Sequence, residues 1–211
     1  MDLKVRSVLD LSEGNFLLRT EKPKELSFEP GQYFSVSVSN MGINREYSVS
    51  SGNQEDELEF MIRQIDDGTL SPNLRKLDKN HKISLNGPFG RFIIEKDSFT
   101  KKLLFVASGT GVAPFKSFIK SYKNLNFTLL HGVRTFEDLK INLEDQTSII
   151  PCVSRQKGTK YKRVTDFLNH EDLTIFDEFY LCGNRRMITD SVEILQKKNI
   201  STNNIFMETY F

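Results

Sequence analysis

Residues 103–114 read LLFVASGTGVAP, and this stretch decides the class of fold. Its first five residues are apolar without alternation, which is typical of a strand buried on both faces of a parallel sheet. The segment Ser108 to Pro114 is a glycine-rich loop leading into a helix predicted from about Val112 to Tyr122. Because the amides and the dipole of a helix start attract anions, the loop predicts a phosphate-binding site.

The chain downstream of this loop alternates short apolar strands with helices. The predicted strands are Phe127 to His131, Ile149 to Val153 and Phe179 to Leu181, and the predicted helices lie near Phe136 to Leu139, Val164 to Asn169 and Arg186 to Lys197. This alternation predicts an α/β domain with a parallel sheet covered on both faces. The loop differs from the usual dinucleotide fingerprint because Pro114 stands where the third glycine would be.

The chain upstream has the two-residue period of strands. The predicted strands are Leu3 to Leu9, Phe16 to Thr20, Tyr33 to Val38, Glu57 to Ile65 and Lys82 to Leu85. Short strands separated by turn residues predict an antiparallel barrel. One helix is predicted at Ser71 to Leu77, with Ser71 as its cap and Pro72 at its first position. A polar stretch near Asp97 to Lys101 places the domain boundary between residues 97 and 98.

Composition excludes several classes of protein. The 211 residues include 29 Lys plus Arg and 28 Asp plus Glu, so global charge gives no case for binding nucleic acid or an anionic membrane. No apolar run approaches the roughly 20 residues that span a bilayer. Two cysteines are too few for an internal iron–sulfur cluster and fit a reducing compartment, and three scattered histidines predict no metal site. We therefore expect a cytoplasmic monomer.

Six short motifs occur in a fixed order along the chain. They are REYS at residues 45–48, GTLS at 68–71, GPFG at 87–90, GTGVAP at 109–114, CG at 182–183 and ETYF at 208–211. Together they resemble the ferredoxin–NADP(+) reductase family over essentially the whole chain. The resemblance implies two domains: an N-terminal antiparallel FAD-binding β-barrel (residues 1–97) and a C-terminal NADP-binding parallel-sheet α/β domain (residues 98–211) ending in a flavin-stacking strand.

The resemblance implies that the REYS strand carries the flavin. Arg45 would neutralise the FAD pyrophosphate, Tyr47 would pack against the isoalloxazine and ribityl region, and Ser48 would hydrogen-bond near N5. Amides of the GTLS turn would hold the same pyrophosphate, which favours FAD over FMN. The full set predicted to bind FAD is Arg45, Glu46, Tyr47, Ser48, Arg63, Ile65, Gly68, Thr69, Leu70, Ser71, Tyr210 and Phe211.

The resemblance also implies a site for the nicotinamide dinucleotide. Ser154, Arg155 and Arg163 match the family's pattern for the 2′-phosphate, and an arginine pair suits a phosphate better than a ribose hydroxyl. The full set predicted here is Gly109, Thr110, Gly111, Pro114, Arg134, Ser154, Arg155, Arg163, Cys182, Gly183, Asn184 and Met187. Glu137 and Asp138 could be ribose-binding acids of an NAD enzyme, but they fit better as acids opening a short helix.

By resemblance the catalytic residues are Ser48, Cys182, Glu208 and Tyr210. Cys182 would align the nicotinamide, Glu208 would lie in a proton path near N5, and Tyr210 would stack on the flavin, with Phe211 extending the cover. The implied activity is hydride transfer from NADPH to FAD, followed by release of single electrons to a ferredoxin or flavodoxin. Two alternatives stay open: an NAD(P)H-dependent reductase component of an oxygenase or other electron-transfer complex, and a flavin-binding subunit or sensor that does not turn over.

Overall fold

The computed structural model describes residues 1–38, 41–140 and 148–210. The chain divides into two compact units, of which unit 1 comprises Met1–Ile93 with Ala113–Lys123 and unit 2 comprises Ile94–Val112 with Asn124–Phe211. This division concerns compactness alone, so the functional boundary between residues 97 and 98 stays a prediction. Among the helices of the described residues, none combines the length and apolarity needed to cross a membrane.

Unit 1 is an antiparallel sheet with two helices. Its elements are β1 (Asp2–Ser12), β2 (Asn15–Glu21), β3 (Tyr33–Val38), β4 (Asn44–Ser48), β5 (Glu57–Arg63), α1 (Leu70–Arg75), β6 (Lys82–Phe89) and α2 (Ala113–Ser121). The strand order is β4-β3-β6-β1-β2-β5, and a bridge between Val49 and Phe60 joins the two ends of the sheet. Alternate residues of these strands fill one core, which includes Phe16, Phe34 and Phe60. The antiparallel barrel predicted from the two-residue period is confirmed.

Helix α2 packs on this barrel through aromatic side chains. The ring of Phe92 lies 5.8 Å from that of Phe115 and 5.9 Å from that of Phe118. Gly31, with φ +95°, makes room for the helix: a Cβ there would lie 1.8 Å from the carbonyl oxygen of Phe92 and 2.7 Å from the Phe118 ring. A side chain at residue 31 is therefore incompatible with this packing.

Unit 2 is a parallel sheet with helices. Its elements are β7 (Lys102–Ser108), β8 (Asn126–Val133), β9 (Ile149–Val153), α3 (Val164–His170), β10 (Glu178–Asn184), α4 (Arg185–Lys197) and β11 (Ile205–Tyr210), with short 3₁₀ turns at Gly109–Val112 and Phe136–Leu139. The strand order is β11-β10-β7-β8-β9, and every pairing is parallel. Strand β7 is fully buried over Leu103–Ala107, as its unbroken apolar run predicts.

One local prediction in the barrel is wrong. Helix α1 begins at Leu70 rather than at Ser71, and its N-cap residue is Thr69, whose side chain makes no capping bond. The Ser71 hydroxyl instead accepts a hydrogen bond at 2.9 Å from the backbone N–H of Ile65. Ser71 thereby closes the turn that precedes the helix, which sequence spacing alone does not distinguish from capping.

Candidate functional site

The carboxyl ends of β7 and β10 form the centre of the site in unit 2. From β7 the chain moves to β8 and β9 on one side, and later to β10 and β11 on the other, so the strand order reverses between β7 and β10. Ligands of open α/β sheets bind outside the carboxyl ends of the strands at such a point. Ser108 and Asn184 meet there: the Ser108 hydroxyl accepts from the backbone N–H of Asn184 at 3.1 Å and from its Nδ2 at 2.9 Å.

Two glycines let the loops after these strands touch backbone to backbone. A Cβ at Gly111 would lie 2.4 Å from the carbonyl oxygen of Cys182 and 2.6 Å from the Cα of Gly183. Gly183 has φ +141°, and a Cβ there would lie 2.2 Å from the Ser108 hydroxyl and 3.0 Å from the Ser108 carbonyl oxygen. A side chain at either position would therefore push the two loops apart. The roles of these glycines toward a dinucleotide stay predictions.

His131 holds the loop from below. It lies on β8 opposite Ala107 of β7, and its Nε2 is 3.0 Å from the carbonyl oxygen of Gly109. Burial lowers the pKa of His131 to about 4, against the opposing effects of the Gly109 carbonyl and the Asp138 carboxylate. The ring is therefore neutral at physiological pH. The sequence predicted no metal site at any of the three histidines and gave no sign of this contact.

Cys182, Glu208 and Tyr210 lie on the two strands at the other side of the reversal point. Cys182 pairs with Glu208, and Asn184 with Tyr210, in the β10–β11 register. The buried Cys182 thiol lies 3.9 Å from Glu208 Oε1. Burial first, and the Glu208 carboxylate second, raise the pKa of Cys182, while Tyr210 opposes them. Cys182 is thus a neutral thiol that shapes the site, not a thiolate nucleophile. Phe211 lies outside the described residues.

Strand ends β8 and β9 bring together part of the predicted phosphate site. The Arg155 N–H donates to the carbonyl oxygen of Arg134 at 3.0 Å, and the Ser154 N–H donates to that of Val133 at 3.0 Å. Arg134, Ser154 and Arg155 are exposed. Arg163 is also exposed and precedes α3, where its backbone N–H donates to Asp166 at 2.9 Å. Arg134 and Arg155 thus lie next to each other after the carboxyl ends of β8 and β9, and their guanidinium groups fit a phosphate.

Two other residues predicted for the dinucleotide have local structural roles, and so does Asp138. The Asn184 side chain accepts from the backbone N–H of Met187 at 2.9 Å and caps α4. Pro114 stands in the first turn of α2, where its missing N–H costs nothing. Asp138 forms a capping box with Thr135, so its interpretation as an acid opening a short helix is confirmed.

The predicted flavin residues of unit 1 lie on the edge strand β4, at the end of β5, on the turn between β5 and α1, and at the start of α1. Arg45 and Glu46 are exposed, Tyr47 is half-buried and Ser48 is buried. Arg45 Nη1 donates to the carbonyl oxygen of Asn44 at 2.7 Å. Burial raises the pKa of Tyr47 to about 12, against the effect of Arg45, so the phenol stays neutral. This strand therefore presents an exposed cation beside a neutral aromatic ring.

The turn before α1 is tightly closed at Gly68, whose backbone N–H donates to the carbonyl oxygen of Ile65 at 2.8 Å. A Cβ at Gly68 would lie 2.9 Å from the carbonyl oxygen of Ile65, so a side chain does not fit. Leu70 is buried in the barrel core, and Tyr47 is partly buried against the same core. Arg63, Ile65 and Thr69 are exposed around this turn. A cation and a neutral aromatic ring are groups that suit a flavin dinucleotide, and the part that the turn at residues 68–71 plays in binding it stays a prediction.

The comparisons with known proteins agree with this geometry. An oxidoreductase FAD-binding domain model matches residues 2–94, and an oxidoreductase NAD-binding domain model matches residues 105–193. The ferredoxin–NADP reductase of Azotobacter vinelandii is 26% identical, with 92% of this chain aligned to 89% of that protein. The chain belongs to the ferredoxin–NADP reductase family. It is an oxidoreductase with an FAD-binding and a nicotinamide dinucleotide-binding domain, and the predicted cofactors and fold class are confirmed at this level.

Two further proteins are similar to this chain, one by sequence and one by structure. The toluate 1,2-dioxygenase electron transfer component of Pseudomonas putida is 28% identical over 98% of this chain, and the chain spans 66% of that relative. A ferredoxin NADP+ reductase from Neisseria gonorrhoeae, solved with bound FAD and NADP, superimposes with a TM-score of 0.87 at 24% identity and covers 100% of this chain and 98% of its own. Part of the dioxygenase component thus has no counterpart here, whereas the ferredoxin reductases match nearly end to end.

Proposed function

We propose that this protein transfers hydride between NADP(H) and FAD, and single electrons between FAD and a ferredoxin or flavodoxin. The observation that carries the proposal is the contact of Gly111 with Cys182 and Gly183 at the reversal point of the sheet. The two domain matches support FAD and a nicotinamide dinucleotide as the ligands. FAD, when bound, accepts hydride as an electron pair and can release the electrons one at a time.

In this proposal the residues of the chain bind the FAD and the nicotinamide and orient them toward each other. Arg45 and the turn at residues 68–71 would hold the FAD pyrophosphate, while Tyr47 and Ser48 would fix the isoalloxazine. Cys182, a small neutral thiol, would leave room for the nicotinamide, and Glu208 would hold a proton near the reacting atoms. Tyr210 would cover the flavin until the nicotinamide replaces it. Orientation of this kind is the main protein contribution to hydride transfer.

The electron acceptor is proposed to be a separate iron–sulfur protein or flavodoxin. The chain has two cysteines, and both are buried without a disulfide, so it lacks the thiolates for a cluster of its own. Reduced buried cysteines also support the proposal of a reducing compartment such as the cytoplasm. We propose further that the protein acts as a monomer, which size-exclusion chromatography with light scattering tests.

A second candidate function is that of a reductase component for an oxygenase, with NADH as the reductant. The similarity to the toluate dioxygenase component favours it. The exposed Arg155 next to Arg134 favours the NADPH enzyme instead, because a guanidinium gains little from a bare ribose hydroxyl.

Steady-state reduction of a one-electron acceptor with NADPH and with NADH separates the two functions. For the NADPH enzyme, Arg155→Ala raises KM for NADPH by about tenfold or more, a loss on the scale of a charged hydrogen bond, and leaves NADH nearly unchanged. Lys162→Ala, in the same exposed loop, is the matched control and should change neither value. Equal effects of Arg155→Ala on both reductants would contradict the proposed NADPH site.

A further inference from the structure

His131 is a buried histidine whose two ring nitrogens have different surroundings. Its Nε2 lies 3.0 Å from the carbonyl oxygen of Gly109, while its Nδ1 has no hydrogen-bond partner among the described residues. The residue is 1% exposed. A carbonyl oxygen only accepts, so Nε2 carries the proton and donates it, and Nδ1 is the bare nitrogen. Protonating Nδ1 would bury an N–H without an acceptor, which agrees with the lowered pKa of this ring.

The hydrogen bond to Gly109 also fixes the next amide. A trans peptide is planar, so the carbonyl of Gly109 and the N–H of Thr110 point in opposite directions. Drawing that carbonyl inward to β8 turns the Thr110 N–H outward, toward the open side of the loop. Thr110 is the second residue of the 3₁₀ turn at Gly109–Val112, and amides at the start of a helical turn have no acceptor within it.

The hydrogen bond from His131 helps to fix the peptide that follows Gly109. Gly109 has φ +55°, a left-handed conformation that glycine adopts without strain. Because glycine also has many other backbone conformations open to it, its own backbone restricts the following peptide little. The 3₁₀ turn at Gly109–Val112 supplies its own i→i+3 hydrogen bonds, and the His131 ring adds a hydrogen bond to the Gly109 carbonyl from the sheet side.

We infer that His131 is a positioning residue that presents the Thr110 amide to the pyrophosphate half of the nicotinamide dinucleotide. This inference rests on the proposed function. It assigns to His131 no contact with the dinucleotide itself, because the buried ring acts through the Gly109 carbonyl. Its removal should therefore weaken ligands that reach the loop, and spare ligands that reach only the arginines after β8 and β9.

Two ligands separate these effects. NADP+ contains the pyrophosphate, whereas 2′-phospho-AMP contains the adenosine end without it. In His131→Phe, which removes the donor, Kd for NADP+ should rise about tenfold, and Kd for 2′-phospho-AMP should stay within about twofold. In His131→Gln, the amide Nε2 occupies the place of the imidazole Nε2 and donates to Gly109, so binding of NADP+ should largely recover. His81→Gln, on an exposed turn of unit 1, is the control for replacing a histidine.

Calorimetric titration of each holoprotein with the two ligands decides the matter. Equal weakening of both ligands in His131→Phe would show a merely structural role and overturn the inference. Unchanged binding of NADP+ would overturn it too. If the wild-type protein bound neither ligand, the proposed NADP site itself would be wrong. If the wild type bound both ligands and His131→Phe bound them equally well, only the inference about His131 would be wrong.

A measurement on the wild-type protein does not depend on whether the variants fold. Nitrogen-15 NMR of the histidine ring should show Nε2 protonated and Nδ1 bare, and the Thr110 amide should shift on addition of NADP+ but not of 2′-phospho-AMP. The opposite tautomer, or a Thr110 amide that ignores NADP+, would contradict the inference.

Discussion

At the scale of single residues, the site depends on the hydrogen atom that Gly111 carries in place of a side chain. The atoms nearest to a Cβ there are backbone atoms of Cys182 and Gly183, at 2.4 and 2.6 Å, and these cannot rotate away. We expect Gly111→Ala to lower the free energy of unfolding by about 1–3 kcal/mol, as overpacking does, and to weaken NADP+ binding.

Urea unfolding followed by circular dichroism measures the effect of Gly111→Ala. Gly14→Ala is the matched control, because a Cβ at Gly14 would meet nothing within 4 Å. Its effect should not exceed about 1 kcal/mol in either direction. If the two variants lost equal stability, the close approach of the loops would not be a constraint on residue 111.

The lowered pKa of His131 predicts a pH dependence of stability. The folded state holds this ring neutral down to about pH 4, while the unfolded chain protonates it near its ordinary value of 6.5. The unfolded state thus binds more protons between these pH values, and stability falls as the pH falls through this window. Relative to His131→Gln, the wild type should lose about 3 kcal/mol between pH 7 and pH 4.

Urea titrations at pH 7, 6, 5 and 4 test this sign. The carboxylate that acts on the ring is Asp138, which weakly opposes the effect of burial. Parallel pH profiles for wild type and His131→Gln would mean that the ring titrates normally in the folded state, and that it is not the neutral donor described above.

At the scale of elements, a buried ion pair fastens α2 to β5. Lys116 on α2 is 0% exposed, and its Nζ lies 2.7 Å from Oε1 of Glu59. Glu59 also accepts from the Arg19 Nε at 2.9 Å and from the Ser50 hydroxyl at 2.9 Å. Burial alone would raise the pKa of Glu59, but Lys116 and then Arg19 outweigh it and lower the pKa. Glu59 therefore stays charged, as its partners require.

Breaking this pair should cost far more than breaking an exposed one. Glu59→Gln leaves the Lys116 ammonium buried without its counter-charge, and we expect a loss of about 3–5 kcal/mol. The double variant Glu59→Leu/Lys116→Met removes both charges and should cost less than the sum of the single variants. Glu55→Gln breaks the more exposed ion pair between Glu55 and Lys120 of α2, and it should cost no more than about 1 kcal/mol. Additive losses would contradict the coupling.

Sequence pattern predicted the elements well where burial is uniform and less well at their ends. Strand β9 has the predicted bounds, and β7 is the predicted buried run. Strand β6 continues to Phe89, beyond the predicted end at Leu85, because Phe89 pairs with Tyr33 of β3 across a register irregularity at Gly87 and Pro88. Cross-strand pairing, which a single strand's sequence does not contain, decides such ends. Likewise, Lys116 reads as a solvent-facing lysine until the barrel is folded around it.

At the scale of the whole molecule, the two halves of the chain match two different domain models, one for binding FAD and one for binding a nicotinamide dinucleotide. The glycines, Cys182 and Asn184 could be predicted from sequence, because their types and order are distinctive. The hydrogen bond from His131 to Gly109 and the ion pair of Glu59 with Lys116 could not, because both join residues that are far apart in the chain and ordinary in type. The roles of Ser48, Glu208, Tyr210 and Phe211 toward a bound flavin stay predictions.

NADPH should reduce a flavin held by this chain, and an anaerobic titration shows whether it does. The purified holoprotein is titrated with NADPH and, in parallel, with NADH, while the oxidised flavin band at about 450 nm is followed. We predict that NADPH bleaches the band at far lower concentration than NADH. Equal bleaching by the two nucleotides would contradict the proposed NADP site at Arg155 and favour an oxygenase-type reductase. A bound flavin that neither nucleotide bleaches would contradict the proposal that the protein is an NAD(P)H-dependent enzyme.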